Sequence, residues 1–161
     1  MDTERYLKVF DLERDGKLED GYRLLVSLTN ESHPLALVEL GTRHISTEGR
    51  SPPVLSIAQD PQKGRELIEK GKLVLEDLAS KGDGEGMRML AYLHLGLLGI
   101  YEKSIEKAET LLLNAFEAGC YFAANDLHTF YLGSDKEKSK HYYKEAERHR
   151  CRVVFNQDFE T

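Results

Sequence analysis

Six histidines and two cysteines hold most of the reactive nitrogen and sulfur of this 161-residue chain. A zinc site needs three or four nitrogen, sulfur or carboxylate donors at defined spacing. His141, His149 and Cys151 come nearest, and their spacing matches no standard site. A nucleophilic thiol needs a base and an electropositive setting. Cys151 lies between Arg150 and Arg152, yet neither it nor Cys120 falls in a recognisable catalytic signature. Both are read as ordinary thiols; the two could approach each other across a helical hairpin, but a reducing compartment disfavours a bond. The Gly-rich run GDGEG at 82–86 precedes a helix but lacks the Gly-Lys-Ser/Thr ending of a phosphate loop, and its acids would repel phosphate. Acid pairs such as Glu19-Asp20 and Glu76-Asp77 fall on polar helix faces, where solvation explains them without acid–base chemistry. The basic run RHRCR at 148–152 sits at a helix end, where positive charge is favoured. No catalytic constellation emerges, and no cofactor or metal is expected.

Composition narrows the classes further. With 40% hydrophobic and 31% charged residues, the chain has the balance of a folded protein. Its net charge of −6 is spread evenly: residues 1–80 carry 11 basic and 15 acidic side chains, residues 81–161 carry 11 and 13. An acidic chain without a basic face argues against nucleic acid and anionic membranes as partners. The longest apolar stretch, Met89 to Tyr101, has 13 residues, short of the roughly 20 a membrane span needs. The charged N-terminus MDTERYLKVF is unlike a secretory leader, so a cytoplasmic location is expected.

The elements that must position any site are helices. Gly and Pro punctuate runs of helix formers, and no alternating strand pattern is visible. Helices are predicted at about 3–14, 18–30, 34–46, 61–81, 85–98, 103–118, 121–132 and 135–150. Pro34 and Pro61 suit first turns, Asp60 and Ser104 suit N-caps, and Gly82 and Gly119 suit the left-handed position after a helix. Aligning the second helix of each pair puts Gly21, Gly71, Ala108 and Ser139 in one column of small residues. Three and four residues on come Leu24-Leu25, Val74-Leu75, Leu111-Leu112 and Tyr142-Tyr143, and then Leu28, Leu78, Ala115 and Ala146. That spacing is one face of a helix, on which the small residue admits a neighbour and the bulky pair fills the space beside it. The first helices of pairs two to four align Ala36, Gly86 and Ala123, then Leu40, Leu90 and Leu127, then His44, His94 and Tyr131. A 14-residue insert, TEGRSPPVLSIAQD at 47–60, lengthens the second pair.

These columns resemble the Sel-one-like repeats, relatives of the tetratricopeptide repeats, whose signature runs "A…LG..Y" then "A..WY..AA..G". Here it reads ALVELGTRH (36–44) with GKLVLEDLASKG (71–82), GMRMLAYLH (86–94) with AETLLLNAFEAG (108–119), and AANDLHTFY (123–131) with SKHYYKEAERHR (139–150). The resemblance covers about residues 21–150. Only Leu40-Gly41 keeps the "LG", the usual Tyr becomes His44 and His94, and Arg150 replaces the final Gly. It implies an all-α fold, a short α-solenoid of about four stacked antiparallel helix pairs. The whole chain, 1–161, would be one domain with pairs at about 3–32, 34–82, 84–119 and 120–150. The tail at 151–161, with Val153, Val154, Phe155 and Phe159, would cap the stack. His44 and His94 would pack between helices as the family's aromatic does.

The resemblance also implies a role. First helices in this repeat class line a concave groove, so Glu39, Thr42, Arg88, Tyr92, Asn125 and Thr129 are the expected partner-binding residues. The insert, stiffened by Pro52-Pro53, offers Val54 and Leu55 as a second contact or docks on the helices. Small bacterial members of the family act as adaptors, and some as immunity proteins that neutralise a toxin. The expected function is therefore a non-enzymatic protein-binding scaffold whose partner is another protein, for example a basic toxin or effector. A helical-repeat adaptor or chaperone for a secreted protein, or a small enzyme, are the alternatives.

Overall fold

The computed structural model describes residues 2–50, 53–96 and 101–151. Pro52 and the expected capping tail beyond Cys151 lie outside the described residues. Among the described residues there are eight helices and no strand. They are α1 (Thr3–Arg14), α2 (Leu18–Asn30), α3 (Pro34–Ile45), α4 (Pro61–Ser80), α5 (Gly84–His94), α6 (Ile105–Glu117), α7 (Phe122–Tyr131) and α8 (Lys136–Arg148). The described residues are all-α, and α1 to α3 and α5 to α8 each pack on their neighbours in sequence, the local arrangement expected of stacked helix pairs. The largest departure from the expected boundaries is at the end of α5. α5 stops at His94, not near residue 98, because Gly96 takes a left-handed φ of 96° and its N–H bonds the Leu93 carbonyl.

The chain divides into two compact units, residues 1–77 and 78–161. In the first, α1 packs on α2 and α2 on α3. Val9, Leu25, Leu28, Ala36 and Leu40 form its core, with Tyr6, Phe10, Leu67 and Ile57 of the insert packed around them. α3 and α4 run antiparallel at very close range. A Cβ on Gly41 would lie 2.7 Å from the Gly64 carbonyl oxygen, and one on Gly71 would lie 2.8 Å from that of Pro34. Gly71 of the small-residue column, together with Gly41 and Gly64, thus lets two backbones touch. In the second unit α5, α6, α7 and α8 pack in succession around Ala91, Ala108, Leu112, Leu127 and Tyr131.

Two hydrogen-bonded turns recur at the aligned positions. After the second helix of each pair, the N–H groups of His33, Asp83, Cys120 and Cys151 donate to the carbonyls of Leu28, Leu78, Ala115 and Ala146 at 2.9–3.0 Å. The residue before each, Ser32, Gly82, Gly119 or Arg150, has φ between 55° and 87°. This is the Schellman closure, which satisfies carbonyls a helix end would otherwise leave bare. Inside three of the pairs, the N–H of Asp60, Ser104 and Asp135 donates to the carbonyl of His44, His94 and Tyr131 at 2.9 Å. Each of these donors then caps the following helix through its own side chain, accepting from Lys63, Lys107 and Lys138.

Candidate interaction sites

In the first unit, α1 and α3 bring together a buried charge cluster. Glu39 and Arg43 stand one turn apart on α3, and Arg43 Nε donates to Glu39 Oε1 at 2.7 Å. The Arg43 guanidinium also grips both oxygens of Glu13 from α1. Arg43 and Glu13 are 0% and 2% exposed. Gly21 makes room for this pair, because a Cβ there would lie 2.8 Å from Glu13 Cγ. Arg50 of the insert completes the cluster. Its Nη1 donates to Glu39 Oε1 and its Nη2 to Thr42 Oγ1, both at 2.6 Å. Glu39 was expected on an open face and is instead buried at 8% exposure, because four guanidinium nitrogens converge around its carboxylate and that of Glu13.

The insert lies against the first unit. Ile57 joins the core, and Leu55 lines a hollow beside the α1–α2 turn with Gly16, Lys17 and Leu18. Val54 and Leu55 are both half-buried.

The second unit carries a different arrangement. Arg88 of α5 pairs with Asp126 of α7 through Nε and, at 3.3 Å, through Nη2; its Nη1 reaches Glu85 Oε1 at 3.4 Å. Tyr92, one turn further along α5, donates its hydroxyl to Asp126 Oδ1 at 2.7 Å. The guanidinium carbon lies 5.6 Å from the ring centres of both Tyr92 and Phe122, within cation–π range. Burial, reinforced by the Asp126 carboxylate, pushes the Tyr92 phenol up to about 12. Arg88, Tyr92 and Asn125 are half-buried, while Thr129 is exposed and returns its hydroxyl to the Asn125 carbonyl at 3.2 Å. Beside this cluster, Tyr121 and Phe122 are 40% and 49% exposed. Sequence reasoning thus named Arg88 and Tyr92 but missed Asp126, on which both converge. A signal existed: Asp126 follows Ala123 by three residues as Glu39 follows Ala36, so the two buried acids share one repeat column.

The reactive side chains settle into packing and capping roles. Cys120 Sγ donates to Glu85 Oε2 at 3.2 Å, and burial, with that carboxylate, pushes its thiol up to about 12. A thiol held protonated in this way is a poor nucleophile at neutral pH. Cys151 Sγ donates to the His149 carbonyl, and both cysteines are free. His149 stacks on Tyr121 with centroids 3.5 Å apart, and His141 packs edge-on to Tyr142. His44, His94 and Tyr131 are all under 10% exposed, in keeping with a packing column.

Compared with known proteins, the chain matches no family model, no curated protein and no solved structure.

Proposed function

We propose that this protein is a non-enzymatic binding scaffold that engages a protein partner through the α5–α7 face of its second unit. The observation that carries the reading is the pair of exposed rings, Tyr121 and Phe122, set beside an ordered Arg88–Asp126–Tyr92 cluster. Aromatic and arginine side chains on a rigid support are the usual anchors of protein interfaces. The resemblance to Sel-one-like repeats and the recurrence of the pair-closing turns support a scaffold built of repeats. The raised Cys120 thiol weighs against thiol chemistry. A net charge of −6 suits a basic partner, and an immunity protein facing a basic toxin is the specific form we favour.

The test is partner capture followed by a measured affinity for the partner identified. Phe122→Ala and Thr129→Ala should each leave thermal stability nearly unchanged, since exposed substitutions usually cost within about 0.5 kcal/mol. Together they should weaken partner binding more than tenfold, about 1.4 kcal/mol. Unchanged affinity in the double variant would sink the α5–α7 face as the interface.

A further inference from the structure

The cluster in the first unit contains a built receptor for one guanidinium group. Glu13 and Glu39 place two carboxylates against the single guanidinium of Arg43. Without Arg50 that set is one negative charge out of balance, two carboxylates facing one guanidinium. An unbalanced buried charge is costly, so the site requires a cation. Arg50 supplies it with fork geometry, one nitrogen on the carboxylate and the other on the Thr42 hydroxyl. The hydroxyl is itself aimed, because Thr42 donates to the Glu39 carbonyl at 2.8 Å and so turns its lone pairs outward. Two acceptors spaced for two nitrogens of one planar group suit arginine better than lysine.

The way Arg50 arrives is informative. It belongs to no helix and is carried by the non-helical segment that leaves α3 at Ser46. Its Nε reaches back only to the Ser46 carbonyl, at 3.4 Å, and its side chain keeps 23% exposure. The deep partners, Arg43 and Glu13, are held by helices and are sealed; the outermost arginine is held by a loop and is only half-buried. The inner acceptors are thus fixed by helices, whereas the second guanidinium is supplied by a loop.

We propose that Glu39 and Thr42 form an arginine-recognition site that Arg50 closes in cis, and that an arginine of a basic protein partner takes the same place when the Arg50 side chain swings out. The site is a property of this chain alone. Only the source of the incoming arginine rests on the protein-binding reading given above. An acidic protein that meets a basic partner has the long-range field to bring that arginine in, and the Glu39 carboxylate supplies the short-range contact.

The experiment uses the full chain with Arg50→Ala and N-acetyl-arginine methylamide as probe, followed by amide chemical shifts. Saturable shifts at Glu39, Thr42 and Ser46 are expected, with millimolar affinity, roughly what a fragment of this size reaches. The wild-type chain and the Glu39→Gln, Arg50→Ala double variant should bind at least about tenfold more weakly, a difference of about 1.4 kcal/mol. The matching lysine derivative should be the weaker ligand of Arg50→Ala. Equal response of wild type and Arg50→Ala, or no preference for arginine over lysine, would overturn the proposal. Should Arg50→Ala lose its fold, Arg50→Gln, which keeps a polar side chain on the insert, takes its place in the same titration with the same expected outcomes. The second step is read with the partner captured for the α5–α7 test: Arg50→Ala should tighten its binding and Glu39→Gln with Arg50→Ala should reverse the gain. A site that binds the probe while Arg50→Ala leaves partner affinity unchanged would refute displacement by a partner and leave the protein-binding reading standing. A probe that fails to bind would refute the arginine site itself, whatever the partner does.

Discussion

His33 caps α3 with an imidazole nitrogen, where most helices use a hydroxyl or carboxylate oxygen. Its Nδ1 accepts from the Ala36 N–H at 3.4 Å, and its Nε2 faces the Asp2 carbonyl at 3.1 Å. A carbonyl only accepts, so the proton sits on Nε2 and Nδ1 is free to cap. Tyr6 stacks on the ring, and the charged groups around it are Asp2 and the Arg5–Glu31 pair. Burial is the largest influence and lowers the His33 pKa, outweighing the Asp2 contact. A lowered folded pKa means the folded state holds the neutral ring. The associated stability is present above the ordinary value of 6.5 and is lost as pH falls through the folded pKa. Thermal midpoints should therefore fall on acidification below that value, and His33→Asn, which keeps an acceptor but cannot titrate, should flatten that part of the profile. Ser32 and Arg150 offer a second test. Both take the left-handed conformation that Gly82 and Gly119 adopt in the same closure. Ser32→Gly and Arg150→Gly should each stabilise by about 0.5–1 kcal/mol, the relieved strain less the entropy glycine adds to the unfolded chain. Denaturant titration of the two variants would show it, and a loss of stability in both would contradict the assigned backbone.

Helix against helix, the decisive contacts are the ones where side chains are missing. Gly41→Ala forces a Cβ against the Gly64 backbone and Gly64→Ala one against that of Gly41, so each should cost about 1–3 kcal/mol as overpacking. Gly133→Ala is the control, because nothing lies within 4 Å of a Cβ there. Equal stability of all three variants would show that α3 and α4 do not approach as described. The α5–α7 contact should respond to charge instead. Arg88 is one of the residues expected to line a partner-binding groove. Its side chain is only 18% exposed and neutralises Asp126 at 8%, so Arg88→Ala strands a buried carboxylate. A loss of about 3–5 kcal/mol is expected, read by chemical denaturation, against almost none for Phe122→Ala. For this reason the binding test above rests on Phe122 and Thr129; a drop in affinity from Arg88→Ala would mix folding with recognition.

For the molecule as a whole, charge is the property that bears on partners. Both units are negative in themselves, since residues 1–80 carry four more acids than bases and residues 81–161 two more. A field of one sign speeds encounter with a basic protein and is screened over about 8–10 Å at physiological salt. The association rate with the captured partner should fall by about tenfold or more between low and high salt, with a smaller change in dissociation. A rate indifferent to salt would argue against a basic partner and against the immunity reading.

Helix positions, caps and the repeat register were legible in the sequence because they depend on neighbours a few residues away. Asp60, Ser104, Gly82 and Gly119 each act within one turn of their own place, and periodicity alone marks the buried face. The resemblance between repeats even aligned Arg150 with glycines, although an arginine does not announce a left-handed backbone. What the sequence could not decide was which polar side chains meet. Glu13 and Arg43 are 30 residues apart, and Arg88 and Asp126 are 38. Nothing local distinguishes them from the solvated charges beside them. A helical pattern tells which face is apolar, whereas the fate of a charge at the edge of that face depends on what the next helix or the insert lays over it. Tertiary packing therefore converted Glu39 and Arg88 from open positions into parts of buried ion pairs, and it set Arg50, an unremarked residue of the insert, onto the Glu39 carboxylate.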